Sequence, residues 1–353
     1  MILFAYFSLV FLFFGIAKRN IYYGQLFLIY SFSIFIISIR SESYGLDIVT
    51  YYKIFLGHEN TPSVNEPFLI LINSFLSMIS KEFLFFSFVY AIILNVALYN
   101  FYSNRSFKMD KTQTVAILSS LILISSYTYF QVNLNIYRQA LAVIILLNLL
   151  SRTDRYISGF ISVLFCAFIH KAAIIGLVYV VIRRLLSVNH LIFAVFISFY
   201  FVIDDTLFLF LIDLSMKVFP VLEYSLSEYK RLYLASELSA SGISQRNIFI
   251  YILVLIIYID KGFLLSLSRN KLYIVKVFLV TVTMANIFYN VVLLYDRVLL
   301  AASLIFPLLL SWYTIYRKKL VYLYLFVFIQ LVFTVFIWGP RNFLVDFRFI
   351  FGG

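Results

Sequence analysis

Residues 271–316 read KLYIVKVFLVTVTMANIFYNVVLLYDRVLLAASLIFPLLLSWYTIY, and this stretch determines the class of fold. After Lys276, its only charged residues are the adjacent pair Asp296 and Arg297. A bilayer core of roughly 30 Å requires about 20 apolar residues in each helix that crosses it. The stretch therefore predicts two membrane-spanning helices, with Asp296 and Arg297 at the turn between them.

The rest of the chain has the same apolar character. Of its 353 residues, 63% are hydrophobic and 12% are charged, and its mean hydropathy is +1.00. A soluble domain carries about twice that share of charged residues, and a membrane β-barrel would alternate apolar and polar residues, whereas these runs are continuous. We therefore expect an all-α polytopic integral membrane protein in which residues 1–353 form one helical domain with about 11–12 transmembrane helices.

The distribution of basic residues predicts the orientation. Apolar runs occupy residues 1–17, 21–39, 67–102, 112–130, 132–150, 155–170, 171–183, 189–212, 246–260, 271–295, 297–316 and 320–338. If 155–183 is a hairpin bent at His170-Lys171, then 15 of the 28 Lys and Arg residues fall on one face, which the positive-inside rule assigns to the cytoplasm. The loops 40–66 and 213–246 then lie outside. If 155–183 is instead one tilted helix, everything after it inverts and 213–246 becomes cytoplasmic.

Both long loops contain a helical pattern. In 40–66, Ile48, Tyr51, Tyr52 and Phe55 recur at helical spacing, which predicts an amphipathic helix at the membrane interface. Loop 213–246 mixes tyrosines with acidic and basic residues, a composition that suits a helical cap over a polar site.

Arg138 is the leading candidate for a functional side chain. Gln131, Asn135, Arg138 and Ala142 recur at helical spacing, which predicts one polar face on an otherwise apolar helix. Ionisable residues at membrane depth are costly and mark functional sites, and a guanidinium can hold a phosphate with two parallel hydrogen bonds. The alternative is that Arg138 extends to the nearby interface with water.

Other charged residues are weaker candidates. His170-Lys171 has apolar residues on both sides, and Arg297 is either functional or simply paired with Asp296 in a turn. Arg40 opens the first long loop and could mark the membrane boundary. Asp47 could serve only to start the interfacial helix, and Glu66 only to precede Pro67, which is suited to a first helical position. A carboxylate near several arginines would also suit a general base that faces an anionic donor.

Several kinds of chemistry are not indicated by the sequence. One cysteine, Cys166, and three histidines provide no Cys/His cluster for a metal. There is no Walker A sequence and no D-x-D pair. The net charge of +12 is distributed in pairs and triplets between apolar runs rather than along one stripe, which argues against a nucleic-acid partner. We predict neither a metal nor another cofactor.

Five strings in this order resemble the EpsG-like branch of the Wzy-type polysaccharide polymerases. The strings are IRSESYGLDIVTYYKIF at 39–55, NEPFLILINSFL at 65–76, NIYRQALAVIILLNLL at 135–150, FCAFIHKAAIIGLVYV at 165–180 and YDRVLLAASLIFPLLL at 295–310. The motif positions are Arg40, Asp47, Tyr51, Glu66, Arg138, Gln139, His170, Lys171 and Arg297. The chain departs from the pattern at Ala172, where a serine is expected, and at Leu46, where a small polar residue is commoner.

The resemblance implies a GT-C-like helical bundle that acts as an O-antigen or similar surface-polysaccharide polymerase, multi-pass in a bacterial inner membrane, with its active site facing the periplasm. It would transfer a glycan from polyprenyl pyrophosphate to the sugar of another lipid-linked repeat unit, using no metal ion. Arg40, Arg138, Gln139, Lys171 and Arg297 would bind the pyrophosphate. The general base would be Asp47, Glu66 or His170. Implied partners are the membrane lipid, a flippase and a chain-length regulator.

Three other functions remain open from the sequence. A flippase or transporter of lipid-linked oligosaccharide would use intramembrane arginines to line a passage, and an O-antigen ligase would share the donor but differ in the acceptor. An acyltransferase would need a histidine on the cytoplasmic side, whereas the favoured orientation places His170 outside. Fold class alone does not discriminate among these functions.

Overall fold

A computed structural model describes most of the chain as helices. The described residues are 22–38, 48–57, 67–104, 107, 112–134, 136–153, 155–203, 206–218, 227, 230–231, 245–289 and 292–332. Within these ranges there is no strand. The predicted fold class is confirmed: the chain is an all-α polytopic membrane protein.

The helices follow one another with short connections. In chain order they are α1 Tyr22–Ser38, α2 Ile48–Phe55, α3 Pro67–Ile79, α4 Phe83–Tyr102, α5 Thr112–Ile124, α6 Tyr127–Leu134, α7 Tyr137–Arg152, α8 Tyr156–Ile169, α9 Gly176–Leu185, α10 Val188–Ser198, α11 Tyr200–Ile203, α12 Thr206–Val218, α13 Gln245–Ile259, α14 Lys261–Leu265, α15 Arg269–Ile287, α16 Val292–Arg317 and α17 Leu320–Val332. A 3-10 helix, Lys171–Ile175, lies between α8 and α9.

Three of the described helical segments are long and apolar enough to cross a membrane. They are Phe83–Tyr102, Arg269–Ile287 and Tyr295–Arg317. Other described helices, such as α8, are apolar but have 10–17 residues. Helices of that length fall short of the usual span, so the count of 11–12 spans stays a prediction.

The chain divides into two compact units. The first contains Met1–Leu177 and Pro307–Gly353, and the second contains Val178–Phe306. In the first unit α4 packs against α1 and α7, and α7 packs against α8. Buried hydrogen bonds connect these helices: the Tyr129 hydroxyl donates to Asn95 Oδ1 at 2.9 Å, and Ser119 and Ser311 are joined at 3.1 Å.

In the second unit, α15 is the central helix. Its main neighbour is α10, and Asn286 joins three elements, because its amide donates to Ser198 Oγ at 3.0 Å and accepts from the Tyr251 hydroxyl at 2.6 Å. These buried polar groups therefore meet other polar groups of the protein, as an apolar surrounding favours.

The predicted bend at His170 is confirmed. Helix α8 ends at Ile169, and His170 is extended, with φ −158° and ψ 127°. A Cβ added at Gly176 would lie 2.9 Å from Val163 Cγ2 and 2.6 Å from Leu146 Cδ2. Gly176 can approach Val163 only if the chain turns back along α8, so residues 155–176 do not form one continuous helix.

The predicted helix in the first long loop is also confirmed. Helix α2 covers Ile48–Phe55, with Tyr51 and Phe55 buried. Pro67 begins α3, as its fixed φ favours. The other residues of loop 40–66, including Arg40, Asp47 and Glu66, lie outside the described residues, except Leu56 and Gly57.

The second long loop is shorter than predicted at both ends. Helix α12 continues through Asp213 to Val218, and α13 begins at Gln245. Asp213 is accommodated in the helix because Lys230 Nζ lies 2.6 Å from its carboxylate. Apart from 227, 230 and 231, the residues 219–244 that would form the predicted cap lie outside the described part of the chain.

The prediction of one continuous polar face through Gln131 and Arg138 was wrong. Helix α6 ends at Leu134 and α7 begins at Tyr137. The Ile136 N–H donates to the Gln131 carbonyl at 3.2 Å, and the Asn133 amide donates to the Tyr129 carbonyl at 2.9 Å. Asparagine side chains compete with helical hydrogen bonds, and here the helix stops. Arg138 therefore stands at the start of a helix.

Two other expectations about helix ends need correction. The run 67–102 is divided at 80–82, where Ser80 Oγ accepts from the Glu82 N–H at 3.2 Å. Asp296 and Arg297 lie inside α16, which begins at Val292, and not at a turn. The preceding helix, α15, ends earlier, at Ile287. The predicted turn was wrong: two adjacent charged residues in an apolar stretch suggested a turn, whereas the helix continues through both of them.

We predict that Gly176→Ala destabilises the protein. In a helix, alanine is favoured over glycine by about 1 kcal/mol, but here its methyl group would collide with Leu146 and Val163, and overpacking costs about 1–3 kcal/mol. Thermal unfolding in detergent measures the effect.

Leu146→Ala in the same chain provides the control. It opens the space that the new methyl group needs, so the melting temperature of the double variant should exceed the value expected from adding the two single changes. A higher melting temperature for Gly176→Ala alone would contradict the close packing of Gly176 against Leu146 and Val163.

Candidate active site

Arg138 lies in the first turn of α7. Ile136, which directly precedes this helix, is the N-cap and offers no side-chain hydrogen bond to the helix. The first N–H groups of a helix have no intrahelical acceptor, and this end carries partial positive charge. A guanidinium here adds to that positive charge, so an anion that binds at this end would meet the guanidinium and backbone N–H donors together.

The ring of Tyr51 supports the Arg138 side chain. The guanidinium carbon of Arg138 lies 4.1 Å from the centre of the Tyr51 ring, which is a cation–π contact. Tyr51 belongs to α2 and is 6% exposed. Such a contact restricts the guanidinium while leaving its N–H groups able to donate, so it orients the cation without neutralising it.

Tyr51 begins a line of aromatic contacts that reaches α3. Its ring meets Tyr137 edge-on at 4.8 Å, and Tyr137 meets Tyr90 at 4.6 Å. The Tyr90 hydroxyl donates to Asn73 Oδ1. Asn73 is 3% exposed, and its Nδ2 is buried without an acceptor among the described residues. A buried unsatisfied amide donor is costly and is suited to bind an oxygen atom of a ligand.

Helix α2 is held in place by a second set of contacts. The Tyr52 hydroxyl donates to the Lys81 carbonyl at 2.6 Å, and Phe55 contacts Phe86 of α4 at 5.0 Å between ring centres. These contacts attach α2 to the connection between α3 and α4. They fix the position of Tyr51 and, through it, that of Arg138.

A small pocket, called the cleft below, lies beside Arg138; its free space of about 10 Å³ is close to that of one water molecule. It is lined by Phe68, Leu69, Ile72, Tyr90, Ile93, Tyr137, Arg138, Leu141 and Ile169. Apart from Arg138 and the two tyrosines, this lining is apolar. The cleft thus combines one cation with apolar side chains, the two kinds of group that a lipid with an anionic head would contact.

The His170-Lys171 bend adjoins the same cleft, because Ile169 lines it. His170 Nδ1 accepts a hydrogen bond from the Ala172 N–H at 3.1 Å and caps the 3-10 helix. In a neutral imidazole the other nitrogen then carries the proton. Lys171 is exposed. The histidine therefore stabilises the turn, and its Nδ1 lone pair is occupied.

A model of the EpsG family matches residues 23–347. The chain belongs to the EpsG family. This places it among membrane proteins of polysaccharide biosynthesis, in a family associated with glycosyltransferase-like polymerases. The comparisons with curated proteins and with solved structures returned no match.

Of the predicted site residues of this EpsG-family chain, Arg138 lines the cleft. His170 and Lys171 do not line it but follow Ile169, which does. Gln139 is 4% exposed and points roughly 100° around the helix from Arg138. Arg297 is exposed in α16, within the second compact unit. Arg40, Asp47 and Glu66 lie outside the described residues.

Sequence reasoning missed Asn73, Tyr90 and Tyr137. Asn73 is the one amide in the apolar run 67–76, and a lone amide in such a run is a signal that could have drawn attention to it. The two tyrosines gave no signal, because the chain contains 28 tyrosines. Their role depends on contacts between helices that sequence spacing does not show.

We predict that activity depends on the aromatic ring at position 51. Tyr51→Phe keeps the ring face, so activity should stay within about 2-fold of the original chain; Tyr51→Leu loses a contact of roughly 1–2 kcal/mol, so activity should fall about 5- to 30-fold. The measurement is the amount and length of surface polysaccharide in cells that lack the chain and carry each variant at matched membrane abundance.

Phe55→Leu is the matched control for lost aromatic packing. Phe55 lies one turn along the same helix and is buried, but its recorded ring contacts are with Tyr52 and Phe86 rather than Arg138. If Phe55→Leu and Tyr51→Leu reduce the polysaccharide equally, the contact between Tyr51 and Arg138 has no special role.

Proposed function

We propose that this EpsG-family protein is an O-antigen or surface-polysaccharide polymerase. It joins polyprenyl-pyrophosphate-linked oligosaccharide repeat units on the periplasmic face of a bacterial cytoplasmic membrane, and it does so with arginines rather than a metal ion as the electrostatic partner of the donor. The observation that carries the proposal is Arg138, which stands at a helix N-terminus beside an apolar cleft and is supported by Tyr51.

The lining of the cleft suits the donor lipid, and the helices around it must separate to admit the lipid, because the cleft has room for about one water molecule. The polyprenyl chain of the lipid would contact the apolar residues of α3 and α4, and the pyrophosphate would meet Arg138 and the first-turn N–H groups of α7. The Asn73 amide is a further donor next to Tyr90, which lines the cleft. Lys171, Gln139 and Arg40 assist in binding the pyrophosphate in this proposal, whereas the role of Arg297, in the second compact unit, stays a prediction from the sequence.

The reaction exchanges one bond at the anomeric carbon of the donor. An acceptor hydroxyl oxygen forms a bond to that carbon, the bond to the pyrophosphate oxygen breaks, and the pyrophosphate leaves with the electron pair. Negative charge therefore grows on the leaving group in the transition state. Arg138 lies where a fixed positive charge stabilises that growth, and preorganised charge of this kind is usually the largest catalytic contribution.

A general base receives the proton of the acceptor hydroxyl. We assign this role to Asp47 or Glu66 in preference to His170. Asp47 directly precedes α2, which carries Tyr51, and Glu66 directly precedes α3, which lines the cleft. His170 uses Nδ1 to accept the Ala172 N–H, so as a base it would need a different tautomer and would lose its cap.

The proposed partners follow from the substrate. A flippase would deliver the lipid-linked repeat unit to the periplasmic face, and a chain-length regulator would determine when extension ends. The product of each cycle is a longer lipid-linked glycan and one free polyprenyl pyrophosphate.

We predict that Arg138→Ala abolishes polymer formation. Loss of a charge that acts on the leaving group should cost roughly 3–4 kcal/mol in the transition state, or about 10²–10³ in rate. The measurement is the ladder of lipid-linked glycan in cells that lack the chain and carry the variant. Arg152→Ala is the control, because Arg152 is an exposed arginine in the last turn of the same helix.

The ladder should collapse to a single repeat unit for Arg138→Ala, with that unit still delivered to the periplasm, and stay complete for Arg152→Ala. If repeat units instead accumulate on the cytoplasmic face, the protein is a flippase. If long polymer forms but is not moved to its final lipid acceptor, the protein is a ligase. Either result would contradict the polymerase proposal.

We predict that His170→Asn retains activity, whereas Asp47→Asn or Glu66→Gln removes it. Asparagine is a good capping residue, and its Oδ1 can accept the Ala172 N–H in place of Nδ1. The measurement is the same ladder, together with the melting temperature of each purified variant. A stable but inactive His170→Asn variant, with Asp47→Asn and Glu66→Gln both active, would identify the histidine as the base.

A further inference from the structure

A second cationic site lies in the second compact unit, where the end of α9 meets the start of α15. The guanidinium carbon of Arg183 lies 4.3 Å from the centre of the Tyr273 ring, and its Nη2 donates to Asn270 Oδ1 at 3.4 Å. Lys276 Nζ donates to the Arg183 carbonyl at 3.1 Å. Arg269 begins α15 directly before Asn270, so Arg183, Arg269 and Lys276 all lie at this junction of the two helices.

Two of the three cations, Arg269 and Lys276, lie on one face of α15. Arg269, Tyr273 and Lys276 follow one another at spacings of four and three residues, so their side chains project from the same side of the helix. The Tyr273 hydroxyl donates to the Tyr179 carbonyl at 3.0 Å, which attaches α9 to this face. The arrangement is therefore part of the packing between two helices and not a set of separate surface charges.

The part of the second unit that surrounds this junction has an excess of positive charge. Residues 176–203 and 245–289 contain a single acid, Asp260, which caps α14 by accepting from the Phe263 N–H at 3.0 Å. The same ranges contain Arg183, Arg184, Arg246, Lys261, Arg269, Lys271 and Lys276. No acid stands in the first turn of α15, although an acid is what that end of a helix favours. Even with Asp260 counted, the region stays strongly positive.

A buried hydroxyl adds a second feature that suits a ligand. Ser268 is the N-cap of α15, yet its side chain makes no cap hydrogen bond. Its Oγ is buried and has no partner among the described residues. A hydroxyl that could cap the helix but does not, next to three cations, is placed to donate to an oxygen of a bound anion.

The surroundings indicate that the anion belongs to a lipid. Arg269–Ile287 is one of the candidate membrane spans, so Arg269 stands at the end of a span. Beside Arg183, Val181 is 49% exposed and Leu185 is 69% exposed. A phosphate that carries acyl chains would gain from both the cations and this apolar surface, whereas a free phosphate would gain only from the cations.

We propose that Arg183, Arg269 and Lys276 form a binding site for the phosphate of an anionic phospholipid. The Ser268 hydroxyl contributes a hydrogen bond, and the acyl chains lie against the exposed aliphatic residues of α9. The site stabilises the junction of α9 and α15. The site belongs to the second compact unit, whereas Arg138 belongs to the first. The inference therefore does not depend on the proposed function.

The full-length protein purified in detergent provides the test. Its thermal unfolding is measured with added phosphatidylglycerol, phosphatidylcholine or inorganic phosphate. We expect phosphatidylglycerol to raise the melting temperature by about 3 °C and the other two to have little effect. In Arg269→Gln and Lys276→Gln the shift should fall by at least half, whereas Lys276→Arg should keep it.

Arg152→Gln is the matched control, because it removes the same charge from an exposed residue outside the site, and it should keep the full shift. Arg269 is itself exposed, so its replacement leaves folding intact and the measurement informative. Equal shifts in Arg152→Gln and in both site variants would overturn the proposal. So would equal stabilisation by phosphatidylcholine, or full stabilisation by inorganic phosphate alone.

Discussion

The hydrocarbon core of a membrane offers no hydrogen-bond partner to the backbone, and this constraint governs where the helices of this chain can break. Irregular backbone at membrane depth is tolerated where protein surrounds it or where it lines a cavity. The break between α6 and α7 and the bend at His170 both meet this condition, because Tyr137 and Ile169 line the cleft beside Arg138. Each break also has a polar group that satisfies local N–H donors, the Gln131 carbonyl in one case and His170 Nδ1 in the other.

These breaks place charge where a continuous helix could not. An arginine at the centre of a membrane helix costs roughly 2.5–3.5 kcal/mol, and contact with an aromatic face offsets part of that cost. Arg138 lies 4.1 Å from the Tyr51 ring, and in the second unit Arg183 lies 4.3 Å from the Tyr273 ring. Both rings hold a guanidinium without cancelling its charge. An anionic ligand gains most at such a site, because the cation is already desolvated on one side and held in position.

The sequence predicted the features that depend on local pattern. Apolar runs and the distribution of charge gave the fold class, helical spacing gave α2, and the short runs around His170 gave the bend. The continuous face through Gln131 and Arg138 was not correct, because the asparagine and carbonyl hydrogen bonds that end α6 override helical periodicity. The contacts from Tyr51 to Asn73 join the consecutive helices α2, α3 and α4 to the distant helix α7, so no spacing rule within one helix could have predicted them. Whether Asp47 or Glu66 is the base stays a prediction from the sequence.

Reconstitution of the purified chain with a synthetic polyprenyl-pyrophosphate-linked repeat unit as the sole substrate tests the central claim most directly. The account predicts lipid-linked glycans of two, three and more repeat units, with one free polyprenyl pyrophosphate released for each bond formed, in the presence of a chelator of divalent cations. If the repeat unit crosses the vesicle membrane but no new glycosidic bond and no free polyprenyl pyrophosphate appear, the account is contradicted and the chain moves lipid-linked glycans instead of joining them.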